Sequence, residues 1–291
     1  MEALIVESVT KTYEGSDFYL DHVSFSVPEG TIMGFVGENG AGKTTTMGCI
    51  LNTLQYDSGN IEVLGQTMSD ANTALREEIG VVYDSDNFPE HFTVAQLERV
   101  MQDVYRRWDN ALFQRLIEQF HLDKTKKIGT YSRGMTMKLA IAVALAHHPR
   151  LLILDEATSG LDPVVREEIL DLFLDFVGDE KHAILLSSHI TSDLARIADY
   201  MTFIHNGKII LTERKDSLLY QYGILRCRKG QVAEIDPEDV LAMRPQDYQT
   251  SILVKDRALA EKKYPHVVID APSIDEIMLL LVKGEARGLD Y

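Results

Sequence analysis

The sequence predicts an α/β chain centred on a parallel sheet with an antiparallel flank. Two observations carry that expectation. The runs Ile32-Met33-Gly34-Phe35-Val36, Leu151-Leu152-Ile153-Leu154 and Ile184-Leu185-Leu186 have strand length and lack polar alternation, as strands covered on both faces do. Toward the N-terminus, residues 4–9 and 23–27 alternate as half-buried strands would, and the second run ends at the turn Pro28-Glu29-Gly30.

The first buried run leads into Gly37-Glu38-Asn39-Gly40-Ala41-Gly42-Lys43-Thr44-Thr45 and then into residues 46–51, which suit a helix. The spacing G-x-x-x-x-G-K-T matches the phosphate-binding loop of nucleotide triphosphatases, in the strand, loop and helix context that motif requires. A nucleoside triphosphate is strongly anionic, and converging backbone N–H groups can hold its oxygens without many long side chains. Gly37, Gly40 and Gly42 permit that backbone shape, and the helix opening near Lys43 aims its positive end at the phosphates. Lys43 is then expected at the β- and γ-phosphates, the Thr44 hydroxyl on Mg²⁺ and Thr45 at the α-phosphate.

The run at 151–154 ends in Asp155 and Glu156, two carboxylates at the C-terminal end of a central strand, where open α/β sheets bind their ligands. Asp155 is expected to hold Mg²⁺ through its water shell. Glu156, one residue on and turned differently, is expected to take a proton from the water that attacks the γ-phosphate. Upstream, Tyr131-Ser132-Arg133-Gly134-Met135 precedes an Ala- and Leu-rich helical stretch that Pro149 stops. This segment resembles the signature loop of ATP-binding cassette (ABC) ATPases, LSGGQ in its commonest form. The likeness continues through Ser159-Gly160-Leu161-Asp162, similar to the D-loop, and Ser187-Ser188-His189, similar to the switch histidine. Tyr13, within Lys11-Thr12-Tyr13, matches the A-loop aromatic that stacks on adenine.

The resemblance implies a P-loop NTPase fold with a RecA-like core, an antiparallel β flank and a helical lobe over about residues 84–148, where residues 94–101 and 112–117 are amphipathic. It assigns residues 1–220 to the ATPase cassette and leaves 221–291 as a small α/β appendage, whose short strands at 224–227 and 251–254 alternate with helices, one of them opening on the capping-box pair Ser273 and Glu276. It also implies a head-to-tail dimer with an identical or related ATPase chain, in which Ser132 and Gly134 meet the ATP of the opposite subunit and Asp162 joins them at the nucleotide. His189 would bond the γ-phosphate and steady Glu156 with its water. A membrane permease would dock by a coupling helix in a groove between this lobe and the Asp84 loop, with Phe88, Phe92 and Tyr105 either lining it or, as the default for each, packing in the core.

The chain departs from the family pattern in several places. Asp84, in the loop 84–89, stands where the family's Q-loop glutamine binds Mg²⁺, and it is expected to approach the ion through water. Arg133 and Met135 replace a glycine and a glutamine of the signature, with Arg133 expected at the dimer surface. Ala157 replaces a common proline. The YSRGM signature and the acidic Q-loop position resemble ATPase subunits of bacterial exporters for antimicrobial peptides, toxins and drugs.

Composition narrows the partners. A formal net charge of −16 and a pI near 4.9 argue against a nucleic-acid surface, which needs clustered Lys and Arg. The longest apolar runs, such as residues 277–282, fall far short of the roughly twenty residues of a membrane helix. No signal-peptide pattern follows Met1, and the two cysteines, Cys49 and Cys227, suit a reducing cytoplasm; the family resemblance implies a chain held at the inner face of the membrane by its permease. The alternative is an ABC ATPase of DNA repair or translation, which typically carries a coiled-coil insertion or two fused cassettes. This chain has one phosphate loop and no sustained heptads.

Overall fold

The structure, a computed structural model, describes all residues except 16, 70, 85–87, 229 and 287–291. Ser85, Asp86 and Asn87 of the loop that begins at Asp84 therefore lie outside the described residues. The chain opens with β1 (Glu2–Lys11) and β2 (Leu20–Pro28), paired antiparallel with Ile5 opposite Ser26. Alternate positions Val23, Phe25 and Val27 turn inward, as their period of two requires. The fully buried β3 (Ile32–Val36) follows, then the glycine-rich loop and α1 (Lys43–Ile50). Next come β4 (Ser58–Val63), which pairs with β1, the short β5 (Gln66–Thr67), α2 (Thr73–Arg76) and β6 (Ile79–Val82).

The described residues between 84 and 148 are mainly helical. In α3 (Val94–Val104) the N-cap Thr93 and Gln96 bond each other reciprocally, and α4 (Asn110–Gln119) is capped by Asp109. Ser132 caps α5 (Arg133–Leu145), whose residues from Met137 to Leu145 are all buried, because the helix packs on β6 as well as on α4. Tyr105 and His147 stack at 4.0 Å, and burial pushes the His147 imidazole below its ordinary pKa. Phe88 and Phe92 also pack against the main core.

The chain continues through β7 (Leu151–Asp155), α6 (Pro163–Val177), β8 (Ala183–Ser188), α7 (Thr191–Ile197), β9 (Tyr200–His205), β10 (Lys208–Arg214) and α8 (Lys215–Tyr220). The central sheet has the order β10-β9-β3-β8-β7-β6, parallel except for β10. Its register decides where the site can be. Val36 lies beside Ser188 and Asp155 beside Ser187, so the segments leaving β3, β7 and β8 emerge at one edge.

A third, antiparallel sheet comprises β11 (Gly223–Cys227), β12 (Ala242–Pro245), β13 (Thr250–Val254), β14 (Val268–Asp270) and β15 (Glu285–Ala286), in the order β14-β11-β13-β12-β15, with helices α9 (Arg257–Lys263) and α10 (Ile274–Lys283). Alternation splits its side chains between two cores. Leu225, Cys227, Ile252 and Val254 join a small cluster with Ala260 and Tyr264, whereas Ile224 and Leu253 join the main core together with Ile274, Ile277 and Leu280 of α10. That main core also holds Leu194 and Ile197 of α7 and Leu218 of α8, so the C-terminal unit and the rest of the chain share one apolar interior. No described helix is long and apolar enough to cross a membrane.

Candidate active site

The loop from Gly37 to Gly42 wraps the start of α1 because glycine is required at both ends. A Cβ at Gly37 would lie 2.6 Å from the Ile204 backbone oxygen. Gly42 takes φ +117°, with Leu20 2.8 Å from where its Cβ would stand. Between them Ala41 N donates to Glu38 O at 3.1 Å, closing the turn. Lys43, only 6% exposed, reaches back over the loop and donates to Gly37 O at 2.8 Å and Glu38 O at 3.3 Å.

The same sheet edge brings the two carboxylates to this loop. Thr44 Oγ1 donates to Asp155 Oδ2 at 2.9 Å, and Lys43 Nζ lies 3.4 Å from Glu156 Oε1. Consecutive residues of a strand point to opposite faces, yet Asp155 and Glu156 both line one cavity. Glu156 achieves this with a left-handed backbone, φ +51°, which ends the alternation of β7. Its Oε2 accepts from His189, whose Nδ1 is 2.7 Å away, while Oε1 is buried and accepts no hydrogen bond, the Lys43 ammonium neutralising it by charge alone.

Ser187 ties the pair together. Its hydroxyl donates to Asp155 Oδ1 at 2.5 Å and accepts from Glu156 N at 3.1 Å, so one side chain orients the first carboxylate and the backbone of the second. Ser187→Ala is expected to lower kcat roughly tenfold with little change in the fold, because it loosens both carboxylates. Steady-state phosphate release and circular dichroism check this; unaltered kcat would assign Ser187 to packing alone.

The cavity, about 390 Å³, is lined by Asn39, Gly40, Gly42, Lys43, Thr44, Thr45, Asp84, Asp155 and Glu156, all singled out by the sequence, and by Phe18, which was not. Tyr13 stands back from it, half-exposed, with its ring 6.4 Å from that of Phe18 and 5.2 Å from Lys11 Nζ. Ser132, Gly134 and Asp162 are not among the lining residues. Ser132 and Asp162 cap α5 and α6, and Gly134 sits against Val165. The two polar departures from the family pattern meet each other. Arg133 is bonded to the Asp84 carboxylate and lies against Gly160, so it is held within its own chain, although still about half exposed.

The donor set suits a triphosphate with Mg²⁺. A threonine hydroxyl beside a carboxylate is a pair of hard oxygen donors, and Asn39, Gly40 and Gly42 of the loop line the same cavity. Among the described residues no group of three or more His, Cys, Asp or Glu side chains could hold a metal alone. Burial pushes the Cys49 thiol of α1 up to about 11, which leaves it a packing residue.

This edge sets a glycine-rich loop, a lysine, two threonines and two carboxylates around one cavity. Residues 20–159 match the family model for the ABC transporter. Bacitracin transport ATP-binding protein BcrA of Bacillus licheniformis is 35% identical over 204 residues, which cover 69% of this chain and 66% of that protein. Lantibiotic transport ATP-binding protein SrtF of Streptococcus pyogenes is 31% identical over 215 residues, 73% of this chain and 91% of that protein. The chain belongs to the ATP-binding proteins of ABC transporters and is an ATPase. Among solved structures, an ATP-binding subunit of an ABC transporter matches at 27% identity with TM-score 0.66, over 74% of this chain and 91% of that one. A dimeric ATP-binding cassette in a post-hydrolysis state bound to ADP and Pi shares the fold at TM-score 0.66 and 20% identity, over 73% of this chain and 98% of that one.

Proposed function

We propose that residues 1–220 form an ATPase cassette that closes with a second ATPase chain on Mg-ATP and thereby drives export of a peptide, toxin or drug through a separate membrane permease, with residues 221–291 as an accessory unit. The observation that supports this most is the convergence of Lys43, Thr44, Asp155, Glu156 and His189 on one sheet edge. The bacitracin and lantibiotic transport named for the relatives favours export of antimicrobial peptides over other cargo.

In this reading Lys43 leaves the loop carbonyls for the β- and γ-phosphates, and Thr44, Asp155 and Asp84 are the residues that would hold Mg²⁺. That ion, when bound, neutralises phosphate charge. The buried Oε1 of Glu156 takes a proton from water as the water oxygen bonds to the γ-phosphorus and the bond from phosphorus to the β,γ-bridging oxygen breaks, leaving ADP and phosphate. His189 Nδ1–H holds the other carboxylate oxygen and so fixes the direction of Oε1. Tyr13 and Phe18 offer aromatic faces for adenine. Ser132, Gly134 and Asp162, set apart from this cavity, would meet ATP held by the second chain. The chain would then work in the cytoplasm, on the inner face of the membrane.

Affinity purification of the Glu156→Gln chain with Mg-ATP from detergent-solubilised native cells, followed by mass spectrometry, tests the proposal. A multi-spanning membrane protein is expected at near-equal amount. Ribosomes, DNA or no partner would overturn the exporter reading in favour of DNA repair or translation.

A further inference from the structure

We infer that the C-terminal unit sets the position of His189 through the helix that follows it, with Thr191 and Asp275 as positioning residues for hydrolysis. The inference rests on the role given to His189 above. His189 leaves β8 and is separated from α7 by Ile190 alone. The connection is fixed at its near end by Ser188, whose Oγ accepts from Ile190 N at 2.9 Å. At its far end Thr191, the first residue of α7 and 3% exposed, donates its hydroxyl hydrogen to Asp275 Oδ1 on α10. That bond joins the segment carrying the histidine to a helix 84 positions away in sequence.

A helix of seven residues has little stability of its own, and α7 is held by what it packs on. One side faces α6, where Arg196 bonds Asp171 at 2.8 Å and also meets Glu167, and where Arg166 approaches Asp193 at 3.8 Å. The other side packs on α10, and Leu194 and Ile197 lie in one core with Ile274, Ile277 and Leu280. The α10 end of the contact is bonded on several sides. Ser273 and Glu276 form a full capping box around Asp275. Glu276 also accepts from Arg226 at 2.6 Å, and Arg226 reaches Asp270 at 2.9 Å and the Ser251 hydroxyl at 3.0 Å. Asp275 is therefore referenced to the C-terminal sheet, and through Thr191 that sheet defines where the His189 ring meets Glu156.

Small displacements of a group that orients a proton acceptor reduce turnover more than binding. Asp275→Ala and Thr191→Val in the full chain are expected to lower kcat roughly ten- to a hundredfold with KM for ATP within about twofold, and Thr191→Ser to restore turnover. Amide exchange over residues 191–197 should quicken in the same variants. In a His189→Ala background, Asp275→Ala should add no further loss, because the group it positions is gone. An unchanged kcat, unchanged exchange, or an equal fractional loss in the His189→Ala background would overturn the inference. The exchange readout needs no turnover, so a His189→Ala chain with normal kcat would count against the role of His189 and leave the link between α10 and α7 to be judged separately.

Discussion

Glu156→Gln is expected to cut ATP turnover by roughly a hundred- to ten-thousandfold while leaving ATP affinity intact, the range for loss of a positioned general base. The amide keeps the size of the side chain, and its oxygen can still accept from His189, which lies 2.7 Å from the carboxylate. What it loses is the capacity to take a proton at the buried position of Oε1. With closure and binding preserved, the variant should accumulate as an ATP-loaded dimer, seen by size-exclusion chromatography with Mg-ATP beside steady-state phosphate release. Normal turnover would remove Glu156 as proton acceptor.

Lys43→Ala acts at the other end of the reaction. The ammonium is buried, bonded to two loop carbonyls and 3.4 Å from Glu156, so truncation removes the charge aimed at the phosphates and leaves a carboxylate without its cation. In this reading Lys43 pairs with the phosphates across the binding contact, and truncating one partner of such a charge pair costs about 2–5 kcal/mol. Equilibrium dialysis with ATP should then show Kd raised at least about thirtyfold. A Kd within about threefold of the parent would mean that the backbone N–H groups alone hold the phosphates. The two variants separate the steps: Lys43→Ala lowers occupancy, Glu156→Gln lowers chemistry at full occupancy.

Both residues were legible in the sequence because their signals are local. The glycine spacing before Lys43 and the apolar run before Asp155 are written within a few consecutive positions, and each strand, turn and helix they imply is present. Ser187 was visible only as a neighbour of His189. Its role depends on β7 and β8 pairing in a register that sets it beside Asp155, a contact across 32 positions. Phe18 stands beside Tyr19 in the connection between two strands, and no local pattern separates it from packing. The contact between Arg133 and Asp84 spans 49 positions and joins two departures that the sequence presents singly, with Arg133 expected at a dimer surface. In the C-terminal unit β11 and β13 were readable as short strands, whereas β14, three residues long, is too short for a periodic pattern to show.

The left-handed backbone of Glu156 sets folding against chemistry. Holding a residue with a Cβ at φ +51° costs about 1–2 kcal/mol relative to the right-handed region, out of a folding free energy typically near 5–15 kcal/mol. Glycine would relieve most of that strain, and asparagine some of it. The residue this backbone would favour is not the one that can take a proton from water. Lineages of this chain chosen for heat resistance alone would drift toward glycine at position 156, growing sturdier as they fell silent.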